Sequence, residues 1–222
     1  RDLTATGRGL GRPSRPVSLQ RSTPRFIAVE LSVGTTSLSA LPVAGPDPGG
    51  NYSLGTTVEA LISAIRNVRR RGGVVIAERN ARMPFVLGTT IPESYIDYLI
   101  DTDYPLPESP VHEPDEVAGR IGDIIAALYV EDGSGAKPGS TLQFGIGEVP
   151  EAVTAAILRK GVRDLAIHTE LFSSAMIRLA NAGVVSNRWK QDLSCSISSI
   201  FLAEDAAGYQ WLNFNSAVQS RP

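Results

Sequence analysis

Two places along the chain combine residue types with chemical use. The first is Leu142-Gln143-Phe144-Gly145-Ile146-Gly147-Glu148-Val149-Pro150. Two glycines bare the backbone where something must approach closely, and Pro150 suits the first turn of a helix, whose leading N–H groups have no partner. Such a turn can hold an oxyanion or a phosphate. It can equally be a tight strand-to-helix connection in which the glycines serve packing alone, and a glycine pair without a full fingerprint does not decide between the two. The second place is His168-Thr169-Glu170. Two residues apart at the expected carboxyl end of a strand, His168 and Glu170 point the same way, at the end where open α/β sheets bind ligands. His168 fits a general base or a hydrogen-bond donor to substrate, with Glu170 beside it; the two fit a structural polar pair at a sheet edge equally well. The other histidine, His112, lies among Pro and Glu and reads as a solvated loop residue.

Other motifs fail on order or partners. GSGAKPGS places its lysine before the second glycine, so the phosphate-loop order G-x-x-x-x-G-K-[ST] is absent. No G-x-S-x-G nucleophile elbow occurs, and His168-Thr169-Glu170 lacks the P-C-x-x-C partner of zinc deaminases. No ligand set for a catalytic metal is visible. Cys195 is the only cysteine, so an internal disulfide is excluded. This makes a reducing, cytoplasmic setting the default expectation.

The elements that must position these residues follow from the hydrophobic pattern. The chain has 222 residues, 42% hydrophobic and 20% charged, a composition that can bury a core. A net charge of −2 gives no footprint for nucleic acid, and no apolar run approaches the roughly 20 residues of a membrane span. Residues 1–25 are Arg-rich and poor in acids, which organelle transit peptides share, but their Gly and Pro content spoils an amphipathic helix. A disordered leader is expected there.

FIAVELSV and LSALPVAG read as strands split by Gly34-Thr35-Thr36. Thr57 is the expected cap of a helix bearing Val58, Leu61, Ile62, Ile65 and Val68. Gly72-Gly73 ends it, and VVIAE follows as a strand expected to be buried on both faces. Asp115 opens the next helix, with Val117, Ile121, Ile124, Ile125 and Leu128 as its core face. EDGSGAKPGS is a loop, TLQFGIG a strand, PEAVTAAILRKG a helix ending at Gly161, RDLAIHTE a strand, and SSAMIRLANAG a helix ending at Gly183. Residues 198–203 suit a further strand, followed by a turn and an extended piece. This alternation predicts an α/β fold with helices packed on a parallel sheet.

The order of motifs resembles that of acetyl-CoA hydrolase/transferase proteins, the group that includes 4-hydroxybutyrate and acetate CoA-transferases. LPVAGPDPGGNYSLGTTVEA, VVIAERNARMPFVLG, LIDTDYPLPE, LQFGIGEVPEAV and DLAIHTELFSSAMIRLANAGVVSN carry the resemblance, in the family's order, over about the last four fifths of the chain. It implies a leader over 1–25, a CoA-transferase-like domain over 26–190, and a segment over 191–222 leading toward a second domain beyond Pro222. It also implies a further βα region ahead of Leu41, where this chain has its leader and FIAVELSV.

The implied chemistry moves CoA between an acyl-CoA and a short carboxylic acid through a glutamyl-CoA thioester. The nucleophilic glutamate belongs to the second domain, and no residue here matches it, so no catalytic residue is assigned. By the same resemblance Gln143, Gly145 and Gly147 line the oxyanion region, Asn80, Met83 and Pro84 shape the acyl pocket, and His168 and Glu170 face the same cleft. The resemblance implies no metal or redox cofactor; CoA enters as a substrate, and a homo-oligomer or a chain supplying the second domain is the expected partner. Three other readings stand beside this one: an acetyl-CoA hydrolase, a non-catalytic fragment serving as a binding or structural subunit, and a sugar-phosphate or nucleotide enzyme on a similar scaffold.

Overall fold

The computed structural model of the protein describes residues 29–33, 36–111, 113–131 and 140–222. The 1–25 leader, Gly34-Thr35 of the expected turn, His112 and most of the EDGSGAKPGS loop lie outside the described residues.

Two sheets organise the rest. In the first, β1 (Val29–Val33) pairs antiparallel with β2 (Thr36–Val43). Next, α1 (Leu61–Arg70) leads into β4 (Val74–Asn80), which runs parallel to β2 and to β6 (Tyr98–Thr102). A short antiparallel ribbon, β3 (Asn51–Ser53) with β5 (Thr90–Pro92), lies between these in sequence. The expected stripe on α1 is the one that buries: Ile62, Ile65 and Val68 pack with Leu41, Val43, Val75 and Ala77. On β4 the alternate residues Val74 and Ile76 stay half-exposed, so the strand is fully buried on one face rather than two.

The second sheet is parallel throughout, in the order β10-β9-β8-β7. Its strands are β7 (Thr141–Leu142), β8 (Ala166–Ser173), β9 (Ser196–Leu202) and β10 (Val218–Ser220). The connections carry α3 (Glu148–Lys160), α4 (Ser174–Asn181) and α5 (Ala206–Leu212). Ahead of β7, α2 (Glu116–Ile125) continues into a π turn over Ala126–Glu131. The α/β parallel-sheet expectation holds, and the last thirty residues supply β9, α5 and β10 to this sheet.

Three local expectations change, each for a physical reason. The first helix begins at Leu61, not after Thr57, because Thr57 bridges Ile200 and the Val58 N–H donates to the Ser199 carbonyl at 2.9 Å. A tertiary backbone pairing overrides the local helix signal there. Of the face expected to bury α2, Ile125 packs against the core, but Val117 is 64% accessible, Ile121 39%, Ile124 56% and Leu128 49%. The helix instead packs on α3 through the small residues Ala118, Gly122 and Ala126, and a Cβ added at Gly122 would sit 2.6 Å from the Ala152 carbonyl carbon. Finally, the turn expected after β9 is the helix α5, opened by Asp205, whose Oδ1 accepts from the Gly208 N–H at 2.8 Å.

Other local expectations hold. Asp115 caps α2 by accepting from the Ala118 N–H at 2.7 Å, and Gly161 ends α3 in the left-handed conformation.

Candidate functional site

β8 runs on to Ser173, so His168 and Glu170 sit in mid-strand rather than at its carboxyl end. They share one face of the sheet and both are exposed, while Ile167 and Thr169 turn inward and are buried. One strand away, Ile197 lies opposite His168 in the register. Further along the same face, Phe172 and Phe201 are buried, with Phe172 stacked against Trp211 of α5 at 6.1 Å. The aromatic cover thus leaves the face open beside His168 and Glu170. A depression of about 350 Å³ lies there, lined by Gln143, His168, Thr169, Glu170, Ile197, Ser198, Ser199, Arg221 and Pro222.

Thr169 holds this region together. Its hydroxyl accepts from the Phe144 N–H at 3.2 Å and donates to the Phe144 carbonyl at 3.0 Å, which fixes the Gln143–Gly147 loop against β8. The Glu170 carbonyl in turn accepts from the hydroxyls of Ser198, at 2.7 Å, and Ser199, at 3.2 Å. At the amino ends of β8 and β9, the Lys190 ammonium donates to the carbonyls of Ile167 and Cys195 at 3.1 and 2.9 Å. Burial keeps Lys190 below the usual lysine range and raises the Cys195 thiol. The carboxyl of nearby Asp192 is held low, chiefly by the Leu193 N–H.

The true carboxyl ends of β8 and β9 open onto a second depression of about 360 Å³. Ile146, Gly147 and Glu148 from the start of α3, Ser173 and Ser174 from the start of α4, and Glu108 and Glu151 are among its lining. Neither helix start carries a side-chain cap. Three glutamates in one lining oppose an anion, despite the two helix starts. Burial pushes the Glu151 carboxyl up, against the pull of Arg178, which pairs with both Glu151 and Glu204.

The residues singled out in the sequence therefore divide. Gln143, His168 and Glu170 converge in the first depression, whereas Gly147 lines the second. Gly145 is exposed and lines neither; a Cβ on Gly145 or Gly147 would meet nothing within 4 Å, so close packing does not explain these glycines. The φ of +116° at Gly147 does call for glycine.

Asn80, Met83 and Pro84 are buried and line neither depression. The Asn80 amide donates to the Tyr104 carbonyl at 3.0 Å and accepts from the N–H groups of Arg82 and Tyr104, tying the ends of β4 and β6 together. Burial, with Glu78 second, pushes the Tyr104 hydroxyl up to about 12. Met83 packs over Gly55, where a Cβ would overlap its sulfur. Arg221 and Thr169 had no signal in the sequence, because each acts through a strand distant along the chain. Among the described residues no cluster of three or more His, Cys, Asp or Glu could hold a metal ion, and no helix is long and apolar enough to cross a membrane.

No family model matches the chain. The 4-hydroxybutyrate coenzyme A transferase of Clostridium kluyveri is 33% identical over 184 residues, 82% of this chain and 40% of that protein. The succinyl-CoA:acetate/propanoyl-CoA:succinate CoA transferase of Fasciola hepatica is 30% identical over 182 residues, 82% of this chain and 36% of that protein. The chain is a relative of the 4-hydroxybutyrate-type CoA-transferases. The solved 4-hydroxybutyrate CoA-transferase of Porphyromonas gingivalis superposes with a TM-score of 0.73 at 28% identity, over 83% of this chain and 44% of that one. RipA of Yersinia pestis superposes at 0.69 with 29% identity, over 83% of this chain and 39% of that one. This CoA-transferase relative thus spans 40% or less of the length of the two curated relatives, and 83% of it superposes on each of the two solved structures.

Proposed function

We propose that the protein serves CoA transfer between an acyl-CoA and a short carboxylic acid, with the sheet-face depression as its substrate-facing surface. One observation carries this reading: Gln143, the His168 and Glu170 pair of β8, and Arg221, three separate parts of the sequence, meet around one depression of about 350 Å³. That volume suits a short acid or an acyl group and lies at the small end of ligand pockets.

In the reaction proposed, a glutamate carboxylate from beyond these 222 residues attacks the acyl-CoA carbonyl carbon. The carbon–sulfur bond breaks, CoA leaves as thiolate, and an acyl-glutamyl anhydride remains. The thiolate then attacks the glutamyl carbonyl, releasing the first carboxylate and leaving a glutamyl-CoA thioester. An incoming carboxylate reverses these steps. Each tetrahedral intermediate carries an oxyanion. In the first depression the Gln143 amide and the His168 imidazole supply donors for such a group. Asn80, Met83 and Pro84 act in this reading by holding the loop after β4.

Incubation of the purified chain with acetyl-CoA and short carboxylates, followed by intact-mass spectrometry and calorimetric titration, tests the reading. The expected result is saturable acetyl-CoA binding, weakened in His168→Ala and Gln143→Ala, with no covalent CoA adduct. An adduct on Glu148 or Glu170 would move the nucleophile into this chain, and absence of any acetyl-CoA binding would overturn the reading.

A further inference from the structure

The pairing of β10 with β9 sets Val218 opposite Ser196 and Ser220 opposite Ser198, and the Arg221 N–H continues it by donating to the Ser198 carbonyl at 2.8 Å. Ser220 is fully buried and pinned by the Leu87 carbonyl and by Thr89. The two-residue period of a strand therefore turns Arg221 to the other face, the one that carries Ser199. Thr169 opposite Ser198 and Leu171 opposite Ile200 put Glu170 in line with Ser199. Glu170, Ser199 and Arg221 form a single row across β8, β9 and β10. At the usual strand spacing its ends lie roughly 10 Å apart, backbone to backbone.

Among the described residues lining this depression, Arg221 is the only Lys or Arg and Glu170 the only Asp or Glu. Long side chains at that separation could reach one another, yet neither forms an ion pair with any described residue. A guanidinium with no carboxylate on it presents a planar donor fork that matches a carboxylate.

We propose that Arg221 anchors the carboxylate of the substrate acid, and that Glu170, at the other end of the row, restricts the site to acids bearing a single negative charge. This rests on the sheet-face depression being the substrate surface, and it names the substrate class: short monocarboxylates rather than dicarboxylates or phosphate esters. A monocarboxylate on Arg221 extends its uncharged end toward Glu170, with the Gln143 amide and Ser199 hydroxyl alongside. A second carboxylate would meet the exposed Glu170 carboxylate, and like charges at short range repel.

Titration of the whole chain with butyrate, succinate and inorganic phosphate, read by ligand-observed NMR, tests both halves. The parent should bind butyrate more tightly than succinate or phosphate. Arg221→Gln should weaken butyrate on the order of tenfold with an unchanged urea midpoint, and Arg221→Lys should recover part of the loss. Glu170→Gln should shift the ratio of succinate to butyrate affinity severalfold toward succinate. Equal butyrate affinity in parent and Arg221→Gln, a parent that prefers succinate or phosphate, or no saturable butyrate binding would each overturn the inference. Butyrate binding that depends on Arg221 in a chain that ignores acetyl-CoA would support the anchor while removing the CoA-transfer reading.

Discussion

Asn187 shows how much a single buried side chain can carry. It adopts a φ of +53°, a conformation that asparagine enters more readily than most residues. Its Oδ1 accepts from the Ile167 N–H at 3.0 Å and its amide donates to the Ser196 hydroxyl at 3.2 Å, so it ties the amino ends of β8 and β9 together. Asn187→Ala would leave the Ile167 N–H unsatisfied and strain the backbone, at a cost of about 2–3 kcal/mol. Asn187→Gly would lose the bonds without the strain and should cost less, and urea unfolding of the two variants measures the difference. Roles of this kind were illegible in the sequence. The Asp115 cap was readable because its partner is three residues away, and the left-handed Gly161 because it closes its own helix. Asn187, Thr169 and Arg221 bond across strands, so their use exists only once β7 to β10 have paired. His168 and Glu170 could be placed on one face from their spacing, but their depth along β8 could not, since nothing local ends the strand at Glu170.

Elements were legible wherever strong hydrophobicity and close packing coincide, as on α1. They were misread where the two part. On α2 the large apolar residues other than Ile125 and the packed small residues occupy different faces. A hydrophobicity pattern ranks Val117, Ile121, Ile124 and Leu128 first, whereas helix–helix approach is governed by the smallest residues, here Ala118, Gly122 and Ala126. The two glycines of α2 therefore predict opposite outcomes. Gly122→Ala would push a methyl into the Ala152 backbone and separate α2 from α3, destabilising by about 1–3 kcal/mol. Gly119→Ala has nothing within 4 Å and would remove chain freedom only from the unfolded state, stabilising by about 0.5–1 kcal/mol. Urea midpoints that move in opposite directions confirm that α2 docks through its small-residue stripe, and equal shifts would show that it does not.

At the scale of the whole molecule the two sheets are laced along one seam. Phe201 donates its N–H to the Thr56 carbonyl at 2.8 Å, Ser220 reaches Leu87 and Thr89, and Phe214 stacks on Phe85 with ring centres 4.5 Å apart. The seam also carries the β10 backbone that places Arg221, so the row of Glu170, Ser199 and Arg221 depends on both halves of the chain. On α2, Val117, Ile121 and Ile124 are exposed and form an apolar surface of the kind that drives association. The double variant Ile121→Lys with Ile124→Glu should therefore lower the average mass measured by analytical ultracentrifugation at high protein concentration. Its unfolding free energy should stay within about 0.5 kcal/mol of the parent, because exposed side chains lose little on replacement. A variant that associates as before would place the sticky surface elsewhere. One destabilised by about 2 kcal/mol or more would mean that this surface is buried in the folded chain, and that α2 meets its neighbours through the face its hydrophobic residues first indicated.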